Sequence, residues 1–185
     1  MKRLFAAIPI QLTEESIKNL QQLQDKLKED KIKWVDWQNT HLTMKFFGET
    51  PEERVDDICE QLDMACAGIE PFEMEMNRLG IFGSRYKPKV IWLGFKENEE
   101  VIRLQKNIAE ELEKIEIYED RQNFVPHLTV GRVKYIQHQD FFQEMIGQFK
   151  NRFSQENTIQ EMHLFESILK SSGPEYHVVE TFRLE

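Results

Sequence analysis

The chain has 185 residues, with 33 Asp and Glu against 24 Lys and Arg and a formal net charge of −9. A protein that grips long nucleic acid by neutralising phosphates carries a broad basic surface. The acidic balance argues against that class; if the ligand is a nucleic acid, it points to a terminus or short strand held in a locally positive cleft rather than a long duplex. A composition 40% hydrophobic and 31% charged excludes a disordered chain, and no run approaches the ~18 apolar residues of a bilayer span.

In chain order, Leu4 to Pro9 reads as a first strand. The basic and apolar opening superficially resembles a secretion signal, but Pro9 interrupts it and no small-residue cleavage site follows. Thr13 is a candidate N-cap for a helix carrying Ile17, Leu20, Leu23 and Leu27 on one stripe, with Glu14 and Glu15 where the helix dipole favours them. Strands are expected at Ile32 to Val35 and His41 to Phe47. Thr50, Pro51 and Glu53 then spell a capping box that opens a second helix through Val55, Ile58, Leu62 and Ala65 to Gly68. Cys59 and Cys66 share a face of that helix two turns apart, too far for a disulfide, so they read as reduced core residues in a cytoplasmic protein.

Strands at Phe72 to Ile81 and Val90 to Phe95 precede a third helix from about Asn98, with Val101, Leu104, Ile108, Leu112 and Ile115 on its apolar face. A strand at Phe124 to Val133 leads to a fourth helix after Gln139. Its Phe141, Phe142, Met145, Ile146, Phe149 and Phe153 fit core packing better than a base-stacking platform. Strands at Ile159 to Leu169 and His177 to Leu184 complete the chain. Without the regular alternation of a doubly wound sheet, these elements predict an α+β protein with mixed or antiparallel sheets and outer helices.

One internal echo organises the rest. His41-Leu42-Thr43-Met44 returns as His127-Leu128-Thr129-Val130, each at the start of a strand followed after an interval by an amphipathic helix. No linker rich in Gly, Pro or Ser separates the halves, which predicts one domain over 1–185 made of two related lobes. Straight strand parity puts His41, Thr43, Lys45 and Phe47 on one face and Leu42, Met44 and Phe46 on the other; His127 and Thr129 share a face in the second copy. Opening a cyclic phosphodiester requires a base to take a proton from water and an acid to protonate the departing oxygen. Imidazole does either near neutral pH. The threonine hydroxyls are suited to donate to non-bridging phosphate oxygens. A lone His-x-Thr is more often a hydrogen-bonded structural histidine; two matched copies favour chemistry.

With these motifs in place, the chain resembles the 2H phosphoesterase superfamily, and within it the RNA 2',3'-cyclic phosphodiesterases formerly described as 2'-5' RNA ligases. RLFAAIPI, HLTMKFFGE, LGIFGSRYKPKVIWLGF, FVPHLTVGRVK and FESILKSSGPEYHVVETFRL carry the resemblance over essentially the whole chain. It implies two pseudo-symmetric lobes around a central cleft, each a small antiparallel sheet with outer helices. It also implies His41 as proton donor, His127 as proton acceptor, Thr43 and Thr129 on the phosphate, and no metal or other cofactor.

Other positions carry competing readings. Arg132 is a phosphate ligand only if Gly131 makes a bulge, because straight parity turns it away from His127. Lys45 has cleft parity but also suits an edge lysine that keeps a strand soluble. Phe5, Phe47 and Trp92 are candidates to stack on a terminal base, against a default of core packing. Arg85, Lys87 and Lys89 either guide an RNA end or form a solvated loop, and His138, His163 and His177 read as structural. Histidine spacing matches no zinc pattern such as His-Glu-x-x-His. The expected activity is hydrolysis of a terminal 2',3'-cyclic phosphate to a 2'-phosphomonoester by a monomer acting on RNA ends or nucleotides. The alternatives are 2'-5' ligation at the same site and non-catalytic binding of RNA ends.

Overall fold

Thr13 caps the first helix as its position predicts: its Oγ1 accepts a hydrogen bond from Ser16 N at 3.2 Å. The computed structural model describes residues 1–118, 123–171 and 173–185. In chain order these form β1 (Lys2–Pro9), α1 (Glu14–Lys26), β2 (Lys31–Trp34), a 3-10 turn (Trp37–Asn39), β3 (His41–Thr50), a second 3-10 turn (Glu52–Arg54), α2 (Val55–Cys66), β4 (Phe72–Ser84) and β5 (Lys87–Phe95). They continue through α3 (Glu99–Glu113), β6 (His127–Tyr135), α4 (Gln139–Phe149), β7 (Gln155–Ile159), β8 (Glu161–Lys170) and β9 (Gly173–Arg183).

Several boundaries depart from the sequence expectation. The capping box does not form. Thr50 is the last residue of β3 and its hydroxyl donates to Gly48 O at 3.1 Å, so the chain passes through the Glu52–Arg54 turn before α2 begins. The strand at Phe124 starts only at His127, because Pro126 lacks the N–H a ladder needs. The run from Ile159 to Leu169 is β8 from Glu161 on, while Ile159 closes β7, a strand from Gln155 that the sequence did not announce and that lies at the opposite end of the sheet. Phe153 lies beyond α4 yet is 1% exposed, whereas Phe141, given to the core face, is 42% exposed. Asn98 does cap α3, accepting from Val101 N at 3.0 Å, and Gly68, with φ 73°, ends the α2 region.

The strands follow one another as β7-β4-β5-β6-β3-β1-β8-β9, with β2 along the far part of β6, and every pairing is antiparallel. The expected α+β class and two-lobed plan hold. The first lobe is β3-β1-β8-β9 and the second is β7-β4-β5-β6, so the motif strands β3 and β6 are the inner edges of their lobes. They meet at one pair, Leu42 opposite Leu128, which joins the two expected sheets into a single run. Both leucines are fully buried, and truncating either to Ala costs about 2–5 kcal/mol.

Two of the helices, α1 and α3, leave the lobe of the strand that precedes them, while α2 and α4 stay. α2 and α3 pack together and reach β9 and β3, while α1 packs on α4, which reaches β4. Gln155 of β7 fixes the start of α1 from the second lobe, accepting from Thr13 N and Ser16 Oγ and donating to Gln11 O. Each lobe thus lends a helix to the other.

Candidate active site

Leu42 and Leu128 point into the core, so their neighbours on β3 and β6 turn to the opposite face. Continuing the antiparallel pairing by one residue places Thr129 beside His41 and Thr43 beside His127. The four motif residues therefore occupy the corners of one patch at the seam, with the backbone positions of the two histidines on a diagonal of roughly 7–8 Å.

Both histidines are oriented by the same device. His41 Nδ1 lies 2.7 Å from Asn39 O, and His127 Nδ1 lies 2.7 Å from Val125 O, in each case the carbonyl two residues earlier. A carbonyl only accepts, so each Nδ1 carries its proton and each Nε2 is left for the cleft. The approach to His41 is set by Thr40, whose buried hydroxyl bonds Ile10 O and Trp37 O, and the approach to His127 by Pro126. Burial holds the imidazolium of His41 below its ordinary value, opposed by the Asn39 carbonyl and reinforced by the charges of Arg132 and His127. His127 is lowered in the same way, first by burial and then by Arg132, against the Val125 carbonyl.

A β-bulge follows the threonine in both copies. On β3, Thr43 opposes Ala7 and Lys45 opposes Ala6, so Met44 is the extra residue; on β6, Thr129 opposes Trp92 and Gly131 opposes Ile91, so Val130 is extra. The bulge resets parity. Arg132 consequently comes to the cleft face opposite Val90, and its charge acts on His41, His127 and Tyr176 alike.

In the first lobe the same shift reverses two expectations. Lys45 turns to the helical side, where its ammonium donates to Tyr118 O at 2.8 Å. Phe47 packs against the core, and Phe46, 59% exposed, takes the cleft position instead. Straight parity missed Phe46 because nothing in His-Leu-Thr announces the bulge.

The two walls of the cleft differ. Phe5, 4% exposed, has its ring 4.9 Å from that of His41, 5.2 Å from that of Phe165 and 5.0 Å from that of Tyr176. Tyr176 meets His41 edge-on at 5.3 Å. In the second lobe Phe82 meets His127 edge-on at 4.8 Å and lies 5.1 Å from Trp92. The Trp92 ring lies where a Cβ on Gly80 or Gly94 would sit, 2.4 and 2.5 Å away, so only glycine allows it, and Arg78 stacks over it at 5.7 Å. Phe46, Phe82, Phe165, Tyr176 and Arg78 line the cleft without any motif to mark them in the sequence.

The remaining histidines pair elsewhere: His163 with Glu161 at 2.9 Å, His177 with Glu175 at 2.7 Å, and His138 with Glu29 at 3.9 Å. A depression of about 370 Å³ between Lys26, Asp30 and His138 brings together none of the motif residues. Among the described residues no group of three or more His, Cys, Asp or Glu side chains is gathered as a metal site, and no helix is long and apolar enough to cross a membrane.

Two antiparallel lobes with a His-x-Thr strand at each inner edge define a phosphoesterase architecture. Residues 8–168 match the family model described as the 2'-5' RNA ligase superfamily, and the chain belongs to that family, the 2H phosphoesterases. The RNA 2',3'-cyclic phosphodiesterase of Methanothermobacter thermautotrophicus is 34% identical over 181 residues, 97% of this chain and 98% of that protein. That of Methanocaldococcus jannaschii is 34% identical over 178 residues, 96% and 98% of the two chains. The crystal structure of TT0787 of Thermus thermophilus superposes with a TM-score of 0.76 at 28% identity, covering 98% and 97%. Escherichia coli LigT complexed with 3'-AMP shares the fold, with a TM-score of 0.78 at 18% identity over 99% and 98%. With relatives of this kind over its full length, the chain is an enzyme, a phosphodiesterase acting on cyclic phosphodiester bonds.

Proposed function

We propose that the chain hydrolyses a terminal 2',3'-cyclic phosphate of RNA to a 2'-phosphomonoester, with His127 as base, His41 as acid and no metal. The observation that carries the reading is the duplicated Nδ1-to-carbonyl bond, which leaves two Nε2 atoms across one patch of a size to span a phosphate. Binding alone needs no such pair, which weighs against a non-catalytic role.

In the proposed step the phosphate sits between the imidazoles. Thr43 and Thr129 donate to its non-bridging oxygens, and Arg132 offsets its charge as it grows. His127 Nε2 takes a proton from water as the water oxygen bonds to phosphorus. The bond from phosphorus to the 3' oxygen breaks, and His41 Nε2 gives that oxygen its proton. The products are a 2'-phosphate and a 3'-hydroxyl, and both histidines exchange protons with solvent to reset. Burial makes His41 a poor proton carrier in the free protein, but the anionic phosphate beside it favours the imidazolium and loads the acid when substrate arrives. Phe46, on the exposed aromatic wall, suits stacking on the terminal base. Tyr176, edge-on to His41, holds that ring's plane.

The test is to incubate the protein, with EDTA present, with RNA ending in a 2',3'-cyclic phosphate and to identify the product. A 2'-phosphate formed by wild type and lost in His41→Ala and His127→Ala supports the roles. Turnover that persists in either variant contradicts them. Joined RNA in excess of hydrolysed ends would make 2'-5' ligation the main activity, and tight binding without product would make the protein a binder.

A further inference from the structure

We infer that the RNA strand leading to the cyclic phosphate is held on the second lobe, along β6 and β5 out to the β4–β5 hairpin. This rests on the cyclic-phosphate reading of the site and adds where the chain upstream of the scissile end lies. The charge distribution points there. Residues 77–95 and 123–139, which form the second half of β4, the hairpin, β5 and β6, contain six Lys and Arg and no Asp or Glu. The other 149 residues hold all 33 acidic side chains against 18 basic ones. A net charge of −9 thus conceals one acid-free stretch within the second lobe.

The basic groups also lie in a line. Arg132 faces the cleft opposite Val90, and Lys33 of β2 stands opposite Arg132 on its other side. From the position of Trp92, beside Thr129, β5 runs out through Lys89 and Lys87 to the hairpin, where Arg85 and Tyr86 are exposed, Tyr86 at 83%. At ~3.3 Å per residue, the six steps from Trp92 to Tyr86 span about 20 Å, a reach of several nucleotides. The hairpin is anchored: Gln139 and Gln143 of α4 both donate to Arg85 O, at 2.6 and 2.9 Å, and Lys87 N donates to Ser84 Oγ at 3.0 Å.

The first lobe offers no equivalent. Its strands carry Arg3, whose charge reaches Tyr176, and Arg183, but these stand among Glu161, Glu166, Glu175 and Glu180, and Lys2 and Lys170 are committed to Glu166 and Glu175. A polyanion leaving the site in that direction meets carboxylates; leaving over the second lobe it meets cations, with Tyr86 at the end for a base to stack on.

The experiment compares wild type with R85Q/K87Q/K89Q, using an RNA dodecamer ending in a 2',3'-cyclic phosphate and adenosine 2',3'-cyclic monophosphate, across a series of KCl concentrations. Three lost phosphate contacts lower the slope of log kcat/KM against log salt for the dodecamer by about 2, and the ratio of dodecamer to mononucleotide kcat/KM falls about tenfold at low salt. An unchanged slope and ratio, or equal losses on both substrates, would overturn the track. Hydrolysis of the mononucleotide in the same preparations tests the chemical reading separately. Should neither substrate turn over, fluorescence anisotropy of the labelled dodecamer still decides the track: weaker, less salt-sensitive binding by the variant supports it, and equal binding, as for a surface meant for an acidic protein, overturns it.

Discussion

His41 and His127 sit on equivalent strands, bond equivalent carbonyls and precede equivalent bulges, yet the residue that each bulge delivers to the cleft is Phe46 in one lobe and Arg132 in the other. Around that exchange the first lobe has become an aromatic wall of Phe5, Phe46, Phe165 and Tyr176, and the second a cationic one of Arg78 and Arg132. Duplication supplies two copies of an imidazole mount, which suffices for an acid and a base because imidazole serves as either. In the proposed reading, divergence around the mounts gives one side to a base and the other to a phosphate.

The largest effect expected on breaking this arrangement comes from the mounts themselves. His41→Ala and His127→Ala each lower single-turnover hydrolysis by ~100- to 10,000-fold. The double variant loses little more than the worse single one, since the two act as a unit. A fully additive double loss, measured in the same assay, would mean that the histidines work independently.

Next comes Arg132→Gln, which should lower kcat/KM by roughly 100-fold or more through loss of charge stabilisation. It also has a signature that a packing defect would not give. The Arg132 charge depresses both imidazoles, so its removal raises both. In the free wild-type protein both limbs of the bell-shaped kcat/KM profile lie below the ordinary histidine value, and in Arg132→Gln both move to higher pH. Limbs that stay in place would put Arg132 outside the cleft. Phe46→Ala, on the opposite wall, should raise KM about tenfold with little change in kcat, an effect visible in steady-state rates with a purine-ended substrate.

The smallest effect is on stability. Histidines held below their ordinary value favour the neutral form in the fold, so their contribution is complete above about pH 6.5 and is lost as pH falls through the lowered folded value. His41→Asn should therefore show a smaller drop in Tm between neutral and mildly acidic buffer than wild type. An equal drop in both would place the acid sensitivity elsewhere.

The sequence made the helices, the α+β class and the two motifs legible because each rests on local periodicity or an exact repeat. Thr13 caps as read, since an N-cap needs only its own turn, and the third helix starts beside Asn98 as expected. What it hid depends on the partner strand. A bulge is a relation between two strands, so straight parity puts Lys45 and Phe47 on the wrong face and misses Phe46, while Arg132 is turned to the cleft by a bulge at Val130 rather than at Gly131. The false capping box at Thr50 has a similar origin: β3 stays paired with β1 as far as Lys2 opposite Thr50, and those ladder bonds outlast a local signal worth about 1 kcal/mol. The aromatic wall gathers four strands and no segment announces it.

The assignment of donor and acceptor is tested most directly by replacing the 3' bridging oxygen of the cyclic phosphate with sulfur, which departs without needing a proton. The account predicts that His41→Ala recovers most of its lost rate on this substrate while His127→Ala does not. Equal rescue of both variants, or rescue of His127→Ala alone, would contradict the placement of one acid and one base on either side of a shared phosphorus.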